Sequence, residues 1–180
     1  MDDLPELYAL RTQVEVMKNT QRGKIDDDHA FTTTWMERFL PPNDAVTFHF
    51  VIEALSDPGH VVGVIGCHHP EPPEVGYMFK SEHWGKGYAT EALKGWLAAY
   101  WSLPRREVEV DDDIPNLDRK VDGDVAREML VAEIEFMNSS SRNVVQKCGF
   151  VKAWEQQIED NHNPGGMVTL EHLYLERPMS

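Results

Sequence analysis

The apolar and polar positions along the chain follow two periods, one typical of helices and the other of strands. Near the N-terminus, apolar residues recur every three or four positions, which predicts two amphipathic helices. Asp3 can cap the first helix and the aspartates at 26–28 the second, which ends before the prolines at 41 and 42. The predicted apolar positions are Leu7, Leu10, Val14 and Met17 in the first helix, and Phe31, Trp35 and Phe39 in the second.

Three strands are predicted next. Val46 to Ala54 mixes alternating and continuous apolar residues, and Val61 to Cys67 follows it after the turn sequence Asp57-Pro58-Gly59. The stretch from His68 to Pro73 reads as a stiff loop, and its two adjacent histidines lack the second ligand pair that a metal site needs. Glu74 to Phe79 is the third predicted strand. Acids in sequence at a helix start are typical caps, so the triple aspartate predicts no metal site either.

The second half of the chain is also predicted to contain both helices and strands. Apolar residues at helical spacing predict a core-facing helix from Ala89 to Tyr100. Met129 to Met137 alternates as a strand does, with Leu130, Ala132, Ile134 and Phe136 on one face. Ser139 or Ser140 can cap the helix that follows, and Gly149 can end it. The final predicted strand pair consists of Glu155 to Glu159 and Val168 to Glu176.

One stretch, from Ser102 to Arg127, shows no sustained period. It is rich in Asp and Glu and contains two prolines, which predicts a long acidic loop. Val108 and Val110 are candidates for a short extra strand inside it. An acidic patch for a basic substrate and a tolerated surface insertion are both compatible with this composition. No repeat or linker divides the chain, so residues 1–180 are predicted to form a single domain.

Composition and charge restrict the function further. The chain has 180 residues, of which 41% are hydrophobic, and no apolar run approaches the length of a membrane helix. The N-terminus lacks the basic and apolar start of a secretory signal. Two cysteines, Cys67 and Cys148, suggest reduced thiols in a cytoplasmic protein. A net charge of −14 disfavours nucleic acid and anionic membranes as partners and favours cationic ones, although a solvated surface explains the charge equally well.

The chemically most informative stretch runs from Trp84 to Leu93. Gly85 and Gly87 lie between a predicted strand and a predicted helix, and the lack of Cβ atoms lets a ligand approach this backbone closely. The first N–H groups of a helix have no partner within it, and the helix dipole adds partial positive charge there. The stretch is therefore suited to a phosphate or pyrophosphate, although a plain tight turn fits the glycine spacing alone.

Two separated motifs resemble those of a known family. Glu74-Val75-Gly76-Tyr77 followed by Trp84 to Leu93 resembles the acetyl-coenzyme A loop of the GNAT acetyltransferases. Asn138-x-x-Ser141, with Lys147, Gly149 and Phe150 behind it, is similar to a block found after the fifth strand in the ribosomal-protein-alanine N-acetyltransferase branch. The resemblance covers Leu4 to Pro178. It implies an α+β, GNAT-like fold whose mixed, mostly antiparallel central sheet is flanked by helices.

The resemblance also implies an acidic insertion at about 102–127 and a missing element. The family has a first strand before the helix that begins here at Leu4, and we expect this strand to be absent through truncation or loss. The strand from Val46 to Ala54 would then lie at a sheet edge. Because an open apolar edge invites pairing with another chain, we expect a homodimer or a concentration-dependent association.

The resemblance implies which residues hold acetyl-coenzyme A. The pyrophosphate would lie on the glycine loop, where Trp84 replaces the family's common Gln or Arg. The pantetheine arm would run beside the backbone of the preceding strand and reach Asn138, while Arg142 would approach the phosphates. No metal is implied. The complete set of implied cofactor-binding residues is Met78, Phe79, Lys80, Trp84, Gly85, Lys86, Gly87, Tyr88, Ala89, Thr90, Asn138 and Arg142.

Two catalytic roles follow from the same resemblance. Ser141 would donate a hydrogen bond or a proton to the departing thiolate, although a first-turn hydroxyl that bonds only to backbone groups fits equally well. Glu74 is the first choice for the base, because the family often has an acid at the start of this strand. An amine is almost entirely protonated at neutral pH, so such a base is required. The competing candidates are Glu133, Glu135, Glu155 and His172.

The leading hypothesis is therefore an acetyl-coenzyme A-dependent N-acetyltransferase. Its acceptor would be a primary amine, cationic in its protonated form, on a protein N-terminus, a small molecule or a drug. The amine would attack the thioester directly in a ternary complex. Two alternatives are the transfer of a longer acyl group on the same scaffold and a non-catalytic coenzyme A-binding or regulatory domain.

Overall fold

The computed structural model describes residues 2–70, 72–107, 121–122, 125–160 and 162–178. The helices are α1 (Leu4–Arg11), α2 (Val14–Met17), α3 (His29–Glu37), α4 (Tyr88–Ser102) and α5 (Ser139–Lys147), with 3-10 turns at Asn43–Val46 and Ser81–His83. The strands are β1 (His49–Ala54), β2 (Asp57–Pro70), β3 (Pro73–Phe79), β4 (Val121–Asp122), β5 (Val125–Ala126), β6 (Met129–Glu135), β7 (Val151–Glu159) and β8 (Met167–Glu176). Within the described ranges, every helix is too short or too polar to cross a bilayer.

A six-stranded sheet forms the centre, with the strand order β1-β2-β3-β6-β8-β7. All neighbouring strands are antiparallel except β3 and β6, which run parallel. The expected mixed, mostly antiparallel sheet of an α+β fold is confirmed. No described residue before α1 forms a strand, and β1 lies at the sheet edge as expected. Association with a second copy stays a prediction.

Helices cover the two faces of the sheet because the strands alternate their side chains between them. On one face, Leu93 and Trp96 of α4 and Val145 of α5 pack on Ile65 and Leu130 of the sheet. On the other face, the N-terminal helices pack on β2, with Leu7, Leu10, Val16 and Met36 against Val61 and Val64. The sheet is therefore a middle layer, and any opening in it is reached from both sides.

The N-terminal helical segment differs from its predicted form. A single helix with Val14 on its apolar face was the expectation, but the helix breaks between Arg11 and Val14. The break turns Val14 outward, to 62% exposure, and buries Val16 instead. Asp28 caps α3 as predicted, by accepting hydrogen bonds from the N–H groups of Ala30 and Phe31. The helix ends at Glu37, before the predicted proline stop.

The first hairpin also corrects the sequence reading. Its turn is Leu55-Ser56, because Ala54 pairs with Asp57, so the sequence Asp57-Pro58-Gly59 begins β2 and is not the turn. Strand β2 then continues to Pro70, which places His68 and His69 in a strand and not in the expected loop. Glycine and proline signal turns well, but extended backbone also accepts them in the first residues of a strand, as in β2.

The region around the predicted insertion is described only in part. Val108 and Val110, the candidates for an extra strand, lie outside the described residues. Two short strands, β4 and β5, pair with each other before β6 begins. In β6, the predicted face of Leu130, Ala132 and Ile134 is buried, whereas Phe136 lies beyond the strand end and is 46% exposed.

Two further boundaries differ from prediction. The cap of α5 is Asn138, whose side-chain oxygen accepts from the Ser141 N–H, and not Ser139 or Ser140. Gly149 follows the helix in a left-handed conformation, as predicted for its end. Strand β7 begins at Val151, four positions before its predicted start at Glu155.

A buried ion pair connects the N-terminal helices. Asp26 is 1% exposed and accepts from the Arg11 guanidinium at 2.6 and 3.0 Å and from the Thr32 hydroxyl at 2.7 Å. Nε of Arg22 lies 3.2 Å from the same carboxylate. Burial alone would raise the pKa of Asp26, but the hydrogen bonds from Arg11 and Thr32 outweigh it and hold the pKa below its ordinary value. One carboxylate thus fixes two cations and helix α3.

Asp26→Asn should destabilise the protein by about 3–5 kcal/mol, because it leaves buried guanidinium charge without its counter-ion. Urea denaturation at neutral pH measures this change. Asp27→Asn is the matched control, since the Asp27 side chain is 59% exposed, and it should change the stability by less than about 0.5 kcal/mol. Equal effects of the two substitutions would contradict this account of the pair.

Candidate active site

The sheet opens between its two parallel strands. The register of β3 and β6 pairs a single position, Glu74 with Val131, and the strands diverge beyond it. A cleft of about 1300 Å³ occupies the opening and extends between the loop before α4, the start of α5 and the N-terminal helices. Backbone groups of β3 that would otherwise bond to a neighbouring strand face this cleft, so a ligand with amide groups can replace the missing strand.

The loop at one end of the cleft has the geometry that its glycines predict. Gly85 and Gly87 have φ angles of 73° and 91°, in the left-handed region that favours glycine. Gly87 is the N-cap of α4, so the first N–H groups of that helix point out of its end toward the loop. The Trp84 indole N–H donates to the carbonyl of Phe79 at 2.8 Å and ties the loop to the end of β3. This helix start can hold an anion.

Two carboxylates lie where the strands begin to separate. Glu74 of β3 and Glu133 of β6 both line the cleft. Burial, and secondarily the negative charge of Glu133, raises the pKa of Glu74 to about 7. A carboxyl with this pKa exists in both protonation states near neutral pH and can accept a proton there.

A histidine and a tryptophan lie behind Glu133. His172 pairs with Glu133 across β6 and β8, and its Nδ1 is 3.1 Å from a Glu133 oxygen. The His172 ring is 5% exposed and stacks on Trp154 with 4.4 Å between ring centroids. The stacking holds the imidazole ring of His172 beside Glu133, whose negative charge acts on Glu74.

Two hydroxyl groups meet across the cleft from different elements. The Tyr77 hydroxyl of β3 is 2.7 Å from Oγ of Ser141 in α5 and 3.1 Å from the Ser141 carbonyl oxygen. Burial raises the pKa of Tyr77 well above its ordinary value, and the hydrogen bond with Ser141 offsets only part of this rise. The phenol therefore keeps its proton at neutral pH. The pair can supply a proton to the cleft.

Strand alternation places the Glu74 carboxyl and the Tyr77 hydroxyl on opposite faces of the sheet. Glu74 and Met78 lie on one face of β3, where Met78 packs on the N-terminal helical cluster. Tyr77 lies on the opposite face, against the cluster of α4 and α5. A group inserted between β3 and β6 would therefore have a proton acceptor on one side and proton donors on the other.

Most of the residues predicted for the site are brought together. The cleft is lined by Glu74, Met78, Phe79, Trp84, Gly85, Gly87, Tyr88, Ala89, Thr90, Asn138 and Ser141. Asn138 accepts from the Ser141 N–H at 3.1 Å, so this side chain fixes the turn that presents Ser141. These positions agree with the predicted site, and the roles assigned to them stay predictions.

Three predicted residues do not line the cleft. Lys80 is 9% exposed, and its Nζ donates to Glu6 at 2.6 Å, which joins the end of β3 to α1. Arg142 donates to Glu171 at 2.9 Å and to the carbonyl of Phe136, so its guanidinium is held by β8 and by the residue that follows β6. Lys86 is exposed in the glycine loop. Only the Lys80 backbone was predicted to contact a ligand, so its side-chain position leaves that prediction open.

No role was predicted from the sequence for Tyr77 or for the side of the cleft that α3 forms. Tyr77 belongs to the motif that carries the family resemblance, and its position in that motif was the available signal. Phe31 and Trp35 were predicted as a helix stripe, but Phe31 is 45% exposed and both line the cleft. A four-residue interval identifies a common helix face without telling whether that face meets the core or a cavity.

A family model described as the acetyltransferase (GNAT) domain matches residues 1–151. No curated protein sequence matches the chain. In the part of the chain that the structure describes, no group of three or more His, Cys, Asp or Glu side chains could hold a metal ion.

Solved structures share the fold at low sequence identity. A GNAT-family acetyltransferase from Bacillus anthracis is 16% identical with a TM-score of 0.69, covering 97% of this chain and 89% of that one. The spermidine N-acetyltransferase from Vibrio cholerae, in complex with CoA and spermine, is 15% identical with a TM-score of 0.69, covering 97% and 90%. The ribosomal-protein-alanine N-acetyltransferase from Brucella melitensis is 18% identical with a TM-score of 0.67, covering 98% and 96%.

Proposed function

Because the chain belongs to the GNAT acetyltransferase family, we propose that it transfers the acetyl group of acetyl-coenzyme A directly to a primary amine in a ternary complex. The observation that carries this proposal is the placement of Glu74 and the Tyr77–Ser141 pair on opposite sides of one cleft that ends at the glycine loop. In the reaction, the amine nitrogen forms a bond to the acetyl carbon and the bond from that carbon to sulfur breaks. A base and a proton donor on opposite sides suit this exchange.

Acetyl-coenzyme A would lie along the opening of the sheet. Its pyrophosphate would bind the N–H groups at the start of α4, after the left-handed Gly85 and Gly87. Its pantetheine amides would bond to the exposed edge of β3, next to Met78 and Phe79. The neighbour from Vibrio cholerae contains CoA, which supports the same class of co-substrate here.

Gly87→Glu should abolish coenzyme A binding, because it adds bulk and negative charge where the pyrophosphate would lie. Calorimetry with coenzyme A measures this, and thermal melting accounts for the strain of a side chain at a φ of 91°. Gly95→Glu is the matched control, since it adds the same charge to the exposed side of the same helix, where a Cβ meets nothing within 4 Å. If a folded Gly87→Glu protein binds coenzyme A normally, the pyrophosphate site lies elsewhere.

Glu74 would act as the base. The ordinary carboxyl pKa of 4.5 is about 6 below the value of about 10.4 for an alkyl ammonium group, and the raised value of about 7 narrows this difference to about 3. The acceptor ammonium gives its first proton to Glu74, which passes it to solvent. The second proton leaves the nitrogen for solvent as the C–N bond forms, and it balances the proton that the departing sulfur receives. The charge of Glu133 contributes to the raised pKa of Glu74, so Glu133 would tune this base. His172, next to Glu133, would hold the Glu133 carboxylate in place.

The acetylation rate should rise with pH through about 7 and then level off, because Glu74 must lose its proton before it can accept one from the amine. Release of free thiol from acetyl-coenzyme A with a panel of amines measures the rate. Glu74→Gln should lower it by about 100- to 10,000-fold and remove this rise. Glu133→Gln should move the rise in rate to lower pH, because it removes one cause of the raised Glu74 pKa. The move should cover only part of the difference between about 7 and the ordinary value of 4.5, because burial is the larger cause.

A second readout separates loss of the base from misfolding. The folded state binds the Glu74 proton more tightly than the unfolded state does, so this group's contribution to stability is present below its ordinary pKa of 4.5 and lost as pH rises through about 7. Glu74→Gln should therefore unfold at a higher temperature than the unmodified protein at pH 8.5, with no such gain near pH 4. A pH-independent melting difference, with normal acetylation, would exclude Glu74 as the base.

Ser141 would protonate the departing thiolate. Its hydroxyl bonds to Tyr77, which stays protonated, so the tyrosine can donate to Ser141 while the serine proton points to the sulfur. The Ser141 hydroxyl then recovers a proton from solvent. The helix cap uses the Ser141 N–H and the Asn138 side chain, which leaves the serine hydroxyl available for this role.

Ser141→Ala should lower the single-turnover rate by about 100-fold or more while coenzyme A binding changes little, the pattern of a lost transition-state interaction. Tyr77→Phe should give a smaller loss, and the two losses should not add. Ser102→Ala is the control, because that hydroxyl bonds only to a helix carbonyl away from the cleft. A Ser141→Ala protein that melts earlier but acetylates normally would make this serine structural.

The alternatives make different predictions in the same assay. A non-catalytic coenzyme A-binding domain would bind the molecule and release no thiol with any amine. A transferase for longer acyl groups would release thiol faster with a longer acyl-coenzyme A than with acetyl-coenzyme A.

A further inference from the structure

One wall of the cleft, formed by residues 11–38, carries positive charge. The segment from residue 11 to residue 38, which contains α2 and α3, contributes four cationic side chains to the cleft lining, namely Arg11, Lys18, Arg22 and Arg38. No acid of this segment lines the cleft, although the segment contains Glu15, Asp26, Asp27, Asp28 and Glu37. The charge of this wall is thus opposite in sign to the net charge of −14 of the whole protein.

The internal ion pairs of this wall do not cancel its charge. Arg11 and Arg22 share the single buried carboxylate of Asp26, and Arg22 also approaches the exposed Asp27 at 3.5 Å. Among the described residues, Lys18 and Arg38 make no ion pair at all. Both are exposed. The cations that reach the cleft therefore retain an excess of positive charge.

Helix α3 presents a mixed aromatic and polar face to the same space. Phe31, Thr34, Trp35 and Arg38 are spaced as one helix face and all line the cleft, while Thr32 and Met36 of the same helix are buried. Guanidinium groups already lie over the aromatic rings, with Arg22 4.5 Å from the centroid of Phe31 and Arg11 4.5 Å from that of Trp35. The guanidinium groups of Arg11 and Arg22 are thus stacked on aromatic rings of α3, which fixes their positions in the wall.

We propose that the amine acceptor carries an acidic oxyanion, a carboxylate or a phosphate, which binds the cationic wall while the amine reaches Glu74. This inference rests on the proposed acetyl transfer, because it assigns the other end of the same substrate. Guanidinium and ammonium groups are the preferred protein partners of carboxylate and phosphate oxygens. A polyamine has only cations to offer this wall and is disfavoured there, despite the acidity of the whole protein.

Matched acceptors that differ only in the anion test this proposal. One pair is phenylalanine and phenylalanine amide, and the other is phosphoethanolamine and ethanolamine, with spermidine as the polycation. Calorimetry in the presence of coenzyme A measures their affinities without requiring turnover, and thiol release measures the rates. The anionic member of at least one pair should bind about tenfold or more tightly than its neutral partner. The two pairs distinguish a carboxylate from a phosphate site.

Substitutions identify the wall as the source of the preference. The double variant Lys18→Gln with Arg38→Gln should lose most of the preference for the anion, while affinity for ethanolamine and coenzyme A stays within about twofold. Lys24→Gln is the charge-matched control for Lys18→Gln alone, because Lys24 belongs to the same segment but does not line the cleft. The preference should also weaken as salt is raised, since these side chains are exposed.

The outcomes separate this inference from the proposed function. Tighter binding of an anionic acceptor that depends on Lys18 and Arg38, together with its faster acetylation, supports the inference. The same binding with no release of thiol overturns the proposed acetyl transfer and leaves only an anion site on the wall. Acetylation of spermidine or a neutral amine in preference to both anionic acceptors overturns the inference and leaves acetyl transfer intact. Equal affinity within both pairs also overturns it.

Discussion

The divergence of two parallel strands is the constraint on which the rest of the structure depends. Strands β3 and β6 pair at Glu74 and Val131 and then separate, which leaves backbone donors and acceptors inside a sheet without a neighbouring strand. Such groups must find other partners. These backbone groups lie at the edge of the cleft, where a ligand or water can form hydrogen bonds with them. The packing on both faces holds the strands apart, with α4 and α5 on one face and α1 to α3 on the other.

The same opening makes the chemistry possible. Because β3 has one long edge on the cleft, side chains from both of its faces reach the space, and Glu74 and Tyr77 approach it from opposite directions. Partial burial then acts on both groups in the same sense, by disfavouring their charged forms. For the carboxyl this places the pKa near neutrality, whereas for the phenol it ensures that the proton stays bound. One environment thus favours the neutral forms of both side chains, which under the proposed function serve as the base and as part of the proton-donor pair.

Much of this arrangement could be predicted from the sequence, and the failures have local physical causes. The left-handed glycines at the start of α4 and the core face of that helix rest on short-range rules of backbone geometry, and both were predicted correctly. The cap of α5 was not, because Asn138 takes the place of the predicted Ser139 or Ser140. The break before Val14 and the extension of β2 through His69 depend on tertiary packing, which overrides local propensity. The sequence could not tell that Phe31 and Trp35 face a cavity, because periodicity identifies a face and not what lies opposite it. Likewise, the pairing of Tyr77 with Ser141 joins residues 64 positions apart, beyond any local pattern.

Net charge and the charges that line the cleft suggest different features of the acceptor. A value of −14 suggested a cationic partner, yet a ligand in a cleft responds mainly to the nearest charges, because distant exposed groups are screened within about 10 Å at ordinary salt. Guanidinium and ammonium groups line the wall formed by residues 11–38, and the carboxylates that line the cleft belong to β3 and β6. Both signs are therefore present in one cleft, on different elements. Under the proposed acetyl transfer, a substrate that carries both an amine and an anion would place the amine at Glu74 and the anion at the cationic wall.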